Sequence, residues 1–252
     1  MRRNTKIILA FLLIIVGISF SLLDSNRASA IPQTFTVNSL GDDDDANTTD
    51  GICETATSGE CTLVAAIQQA NNNGNPSEQD LITFNILPKD GTPKTIVSSG
   101  SSYEITQNVK IDGFSQLDGA TENTQAAPAP LDSVLRIVLD VNQSLSGGGI
   151  VVDADGVEIT GLVVNNTRHA MDAITIVNGS GVKIRGNYIN TAADGMTSLH
   201  QGGSGIGLNA GSDNALIGGS DPADRNIITA GDFSGIQIVG SSLDPVQNTN
   251  IK

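Results

Sequence analysis

The sequence predicts an all-β chain, a right-handed parallel β-helix solenoid with a short N-terminal α-helical cap. Three recurring series of residues predict it. The first is Val-x-Ile-x-Gly, seen at Val109-Lys110-Ile111-Asp112-Gly113, Val157-Glu158-Ile159-Thr160-Gly161 and Val182-Lys183-Ile184-Arg185-Gly186. A weaker copy is Ala215-Leu216-Ile217-Gly218-Gly219, and a fifth begins at Asn250-Ile251-Lys252. The central isoleucines are 48, 25, 33 and 34 residues apart, and 48 is close to two periods of 24. The second series is Gly149-Ile150, Ala173-Ile174, Gly205-Ile206 and Gly235-Ile236, each shortly before a motif isoleucine. The third follows the motif at Leu162-Val163-Val164, Tyr188-Ile189-Asn190 and Ile227-Ile228. Units of this length cannot bury their own apolar face, so they stack, with like strands pairing from one coil to the next.

The chain opens on Arg2, Arg3 and Lys6, an apolar run from Ile7 to Leu23, and Ala28-Ser29-Ala30. That order reads as a signal peptide over residues 1–30, cleaved before Ile31. The alternative is a membrane anchor, because 17 apolar residues lie at the lower limit for a span. No later segment is apolar enough to span. Residues 31–79 read as an N-terminal capping region and 80–252 as the repeats.

Within the capping region, residues 34–38 alternate like a short strand. An acidic loop runs from Gly41-Asp42-Asp43-Asp44-Asp45 to Asp50-Gly51. From Thr62 to Ala70 the residues favour a helix, with Leu63, Ile67 and Ala70 on one face and Thr62 as its cap. This helix is expected to plug the N-terminal end of the β-helix, whose open strand edges otherwise invite aggregation. Cys53 and Cys61 are the only cysteines, and in an exported chain they are expected to form a disulfide tying the loop to the helix start. A zinc site would lack a matching His pair.

Short strands are expected at Leu81–Phe84, Thr95–Val97, Tyr103–Ile105 and Val134–Leu139. Residues 119–130 form a loop excursion, and the insertion 220–225 accounts for most of the longer 33-residue interval. Asn187, Asn190, Asn214 and Asn226 are candidates for an amide stack along one corner. Lys252 falls inside a motif, so further coils or a C-terminal anchor are expected to follow.

Thirteen basic and 27 acidic residues give a net charge of −14; residues 1–30 hold four of the basic and one of the acidic side chains, leaving −17 for the rest. Such a surface repels nucleic acid and anionic lipid. Tryptophan is absent and aromatic residues make up 3%, so stacking platforms for bases or sugars are not indicated.

The chain resembles the CSLREA domain family. The matching pieces are Phe35-Thr36-Val37-Asn38-Ser39, the Asp-rich loop, Gly51-Ile52-Cys53, and Cys61-Thr62-Leu63-Val64-Ala65-Ala66-Ile67 with Ala70-Asn71. Asp80-Leu81-Ile82-Thr83-Phe84, Val109 to Gln116, and Ile217 to Ile228 continue the likeness. In the name-giving heptapeptide, Thr62 stands for Ser, and Val64 and Ala65 stand for Arg and Glu. The resemblance implies an N-terminal region preceding right-handed β-helix repeats on exported bacterial proteins. It implies no activity and no functional residues.

The predicted scaffold resembles that of pectin-lyase-like enzymes, whose hydrolases need two carboxylates facing one groove. Candidates at comparable places in successive coils are Asp153, Asp155, Asp172 and Asp194, although turns favour Asp for backbone reasons as well. Arg168-His169 is the one basic titratable pair. No metalloprotease, P-loop or dinucleotide motif occurs. Asp42, Asp44 and Asp50 are the candidate calcium ligands, as hard oxygen donors in one loop. Gly202 to Leu208 begins like a calcium-binding nonapeptide repeat, but Gly207 stands where its Asp belongs. No other cofactor is indicated. The expectation is an exported, secreted or cell-surface bacterial protein, non-catalytic, acting as adhesin or structural stalk toward a surface polysaccharide or protein ligand. The alternative is a polysaccharide lyase or glycoside hydrolase.

Overall fold

The computed structural model describes residues 31–252 except 75–76, 101, 143–148, 168–170 and 200–201. The expected signal segment, Arg168-His169 and His200 lie outside the described residues. Residues 31–252 form one compact unit.

Among the described residues the fold is all-β with one α-helix. In chain order the strands are β1 (Thr34–Val37), β2 (Asp80–Phe84), β3 (Lys94–Val97), β4 (Tyr103–Ile105), β5 (Val109–Asp112), β6 (Ile137–Asp140), β7 (Ile150–Val152), β8 (Glu158–Thr160) and β9 (Leu162–Asn165). They continue with β10 (Ile174–Ile176), β11 (Lys183–Arg185), β12 (Tyr188–Ile189), β13 (Ile206–Asn209), β14 (Leu216–Ile217), β15 (Ile227–Ile228), β16 (Ile236–Val239) and β17 (Asn250–Ile251). The first sheet has the order β1-β2-β5-β8-β11-β14-β17, the second β15-β12-β9-β6-β3, and the third β16-β13-β10-β7-β4. From β2 onward the chain visits the three sheets in strict rotation, and every strand pair is parallel.

The register explains the recurring isoleucines. Phe35, Ile82, Ile111, Ile159, Ile184, Ile217 and Ile251 are successive Cα partners in the first sheet. Ile96, Leu139, Val164, Ile189 and Ile228 form the matching column in the second. Tyr103, Ile150, Ile174, Ile206 and Ile236 form it in the third. Because side chains alternate along a strand, the apolar residues at every second position enter one continuous core, which runs from Phe35 to Ile217. Each fully buried aliphatic side chain contributes about 1.5–3 kcal/mol, so the columns dominate stability. At the far end Ile238 and Ile251 are half exposed.

Ile111 and Ile159 are direct partners. Their 48-residue interval is therefore one circuit enlarged by insertions, not two periods. Much of the extra length, residues 113–136, folds back over the outer face of the second sheet. There Phe114, Leu131 and Leu135 pack on Val138, Val163, Tyr188 and Ile227 in a second apolar cluster. This excursion also reaches the 220–225 insertion: Arg225 donates to the carbonyls of Gln125 and Ala129, and Asn123 donates to that of Pro222 at 2.6 Å.

The helix α1 (Leu63–Asn72) begins where Thr62 Oγ1 accepts from Ala65 N at 3.0 Å. Leu63, Ala66, Ile67 and Ala70 join the common core against β1, β2 and β4, at the edges opened by the first circuit. Buried Asp80 holds the helix end, accepting from Asn73 Nδ2 and from Gln33 N. Cys53 and Cys61 form the expected disulfide, with Cα atoms 5.2 Å apart.

Left-handed backbone marks the corners. By register Gly156, Gly181, Asn214 and Asn248 stand two residues before successive strands of the first sheet, and all have positive φ. The four asparagines expected on one corner lie on three. Asn187 and Asn226 stack where the first sheet leads into the second, Asn187 N donating to Asn226 Oδ1 at 2.8 Å. Asn190 leaves the second sheet, and Asn214 enters the first. No helix among the described residues is long and apolar enough to cross a membrane.

Candidate functional site

The outward positions of the first sheet are the x residues of the Val-x-Ile-x-Gly motif. Lys110 and Glu158 are Cα partners, as are Glu158 and Lys183, and Thr160 and Arg185. Glu158 is the hub. Arg185 Nη2 reaches Glu158 Oε1 at 2.8 Å and Lys110 Nζ reaches the same oxygen at 3.4 Å. Arg185 Nη1 then pairs with Asp224 of the insertion at 3.1 Å, and Lys110 Nζ approaches Asp112 at 3.8 Å. Phe114 and Glu122 from the excursion, with Asp221 and Ala223, wall a cavity of ≈ 220 Å³ over this ladder. Burial pushes the Glu158 carboxyl up, but the Arg185 hydrogen bond and the two cations outweigh it and hold it below its ordinary value. Glu158 is therefore a fixed anion, suited to binding and poorly suited to donating a proton.

The turn carboxylates are not gathered. Asp153 and Asp155 lie on the corner entering the first sheet, whereas Asp172 and Asp194 lie between the second and third. Asp155 accepts from Ser180 N at 2.7 Å, and Asp194 accepts from Met196 N, Thr197 N and Thr197 Oγ1. Those turn bonds lower the Asp194 carboxyl below its ordinary value. Asp172 accepts from Ser204 N at 2.7 Å, and burial raises it. Its carboxylate lies where a Cβ on Gly207 would be, 2.0 Å away, so Gly207 is needed for close approach.

The calcium candidates are directed to separate protein donors. Asp42 accepts from Ser99 N at 2.6 Å and Tyr103 Oη at 2.5 Å. Asp44 accepts from Gln68 Nε2 at 2.7 Å, and Asp50 from Ile52 N and Gln69 Nε2. Gln68 and Gln69 thus fasten the acidic loop along α1. Among the described residues no group of three or more His, Cys, Asp or Glu side chains is placed to hold a metal ion. Asp44, Gln68, Ile67 and Asn71 of this region, with Tyr103 and Glu104, line an open groove of ≈ 450 Å³.

Sequence reasoning missed Lys110, Glu158, Arg185 and Asp224. For the first three the signal was present in the charged residues beside the motif isoleucines, Lys110 and Asp112, Glu158, and Lys183 and Arg185, at positions that must face outward if the isoleucines face in; Asp224, in the insertion, carried no such signal. No family model, curated protein or solved structure matches the chain.

Proposed function

We propose that this chain is a right-handed parallel β-helix of the CSLREA-domain kind, exported by a bacterium, and that it serves as a non-catalytic stalk or adhesive surface. The observation that carries the reading is the register: three sheets visited in rotation, each with a column of aliphatic partners. Such stacking builds a stiff element whose length grows with each circuit while its cross-section stays constant. The most organised outward charges, Lys110, Glu158, Arg185 and Asp224, neutralise one another. That arrangement fits a durable surface better than an acid–base pair, which needs one carboxyl kept protonated beside an ionised one. The ligand class is a surface polysaccharide or protein. The groove between the acidic loop, α1 and β4 offers amide and carboxylate groups for one, and calcium joins only as a ligand-borne or loop-bound ion.

Small-angle scattering of residues 31–252 is expected to give an elongated particle, and a spherical profile would refute the β-helix. Fractionation is expected to find the chain in medium or on the cell surface, without residues 1–30. Polysaccharides incubated with it, with and without calcium, are expected to stay intact. Cleavage that disappears in Asp172→Asn or Glu158→Gln would replace the stalk reading by the enzyme.

A further inference from the structure

Lys94 opens β3 at a core-side position. Its Cα partner is Ile137, and the next residue in that column is Leu162. Only 4% of the Lys94 side chain and 1% of the Asp118 side chain are exposed, and Nζ lies 3.7 Å from Asp118 Oδ2. Neither carboxylate oxygen of Asp118 has a hydrogen-bond partner. An ionised carboxylate in such a place would be expected to collect donors. On the other side of the amine, Asp90 Oδ1 accepts from Nζ at 2.6 Å, and this carboxylate is 45% exposed. The three groups are held from independent directions. Gln116 exchanges two 2.9 Å bonds with the backbone of Ile86, joining the Asp118 turn to the Asp90 loop. Arg136 Nε donates to the Asp118 carbonyl, while the Arg136 carbonyl accepts from Lys94 N.

We propose that Lys94 and Asp118 join in an intramolecular isopeptide bond, with Asp90 as the proton carrier. The reactive form is the one in which the ammonium proton of Lys94 has passed to Asp118, leaving an amine beside a carboxylic acid. The Lys94 amine then attacks Asp118 Cγ, forming the N–C bond. Asp90 takes a proton from the nitrogen and delivers it to one Asp118 hydroxyl. That C–O bond breaks, one water leaves, and Asp90 is again a carboxylate. Amine and acid are consumed one for one, and no oxidant, nucleotide or metal takes part. Fixed approach replaces the activation that an amide bond in water otherwise needs. The product is a covalent clamp between the start of the second sheet and the excursion that covers it. It does not depend on the chain being exported.

Intact-mass measurement of the purified protein tests this. The wild-type chain is expected to be lighter than its sequence by one water beyond the two hydrogens of the disulfide. A branched peptide should link residues 94 and 118, and trypsin should fail to cut after Lys94. Lys94→Arg and Asp118→Ala are expected to have full mass. Asp90→Asn is expected to link at least about a hundredfold more slowly. Asp118→Asn provides a second route: loss of ammonia gives the same linked product as the wild type, so equal final masses support the bond even if Asp118→Ala fails to fold. A folded wild-type chain at full mass, cleaved by trypsin after Lys94, would overturn the proposal.

Discussion

Tyr103 Oη donates to Asp42 Oδ1 at 2.5 Å, joining the acidic loop to the first strand of the third sheet. Tyr103 is buried and heads the column that continues through Ile150 and Ile174. One ring thus serves the core with its face and the loop with its hydroxyl. Burial, and then the neighbouring Asp42, raise its phenol above the ordinary range. Tyr103→Phe keeps the ring and removes the donor, and should cost about 1.5–3 kcal/mol in denaturant unfolding. The raised phenol adds a pH signature. Its stabilisation is complete below about pH 10, the unfolded value, and is lost as pH climbs toward the folded value. The wild type should therefore lose stability at alkaline pH more steeply than Tyr103→Phe. Parallel curves would exclude the coupling.

Glu158→Gln removes the hub of the ladder while keeping its volume. Its cationic partners are about a third exposed and can recover water, so the loss should be modest, about 1–2 kcal/mol. Because the folded carboxyl lies below its unfolded value, its contribution is present above about pH 4.3 and disappears as pH falls through the folded value. Melting temperature followed from pH 7 down to pH 2 should show a shallower acid decline in the variant.

Two glycines of like backbone separate strain from crowding. Gly161 has φ +71° and Gly181 has φ +73°. A Cβ on Gly161 would meet Phe114 N at 2.6 Å and Phe114 Cδ2 at 2.8 Å, whereas one on Gly181 would meet nothing within 4 Å. Gly181→Ala should cost about 1–2 kcal/mol, the left-handed penalty alone. Gly161→Ala should cost at least about twice that, because the backbone of the excursion must also shift. Equal losses in urea unfolding would mean that the excursion is not seated on this corner.

Asp172→Asn tests a carboxylate that burial disfavours. The amide oxygen can still accept from Ser204 N, and the charge is gone. Since the folded value is raised, the ionised carboxylate costs stability above it, and that cost fades as pH falls through the folded value and is gone below the unfolded value near 3.9. The variant should gain less than about 1 kcal/mol at pH 7 and nothing near pH 3. A loss at pH 7 would show that the charge itself is used.

Local pattern was enough to place most of the strands, the Thr62 cap and the order of the three series, although the strand expected at Val134–Leu139 begins only at Ile137, because Val134 bridges to Thr121 instead. Period-2 alternation and aliphatic recurrence are properties of the residues themselves. The cysteine pair was legible for a similar reason, since eight residues is a short tether. Which asparagines share a corner was not legible, because insertions shift the spacing between circuits and register is decided by pairing. The 48-residue interval was misread on the same ground: spacing alone does not distinguish two circuits from one circuit with a long excursion.

The candidate sites divide in the same way. Sequence alone identified the acidic loop and the Asp-bearing turns as chemistry-capable residues. Only the tertiary structure showed that Gln68, Gln69 and Tyr103 occupy that loop's carboxylates and that the turn acids lie on different corners. It alone brought Glu158 to Arg185 across 27 residues, Arg185 to Asp224 across 39, and Lys94 beside Asp118. Composition and periodicity report what one stretch of chain prefers. Which distant groups meet depends on the register between circuits and on where the insertions fold back, and both are set by burial of the common core.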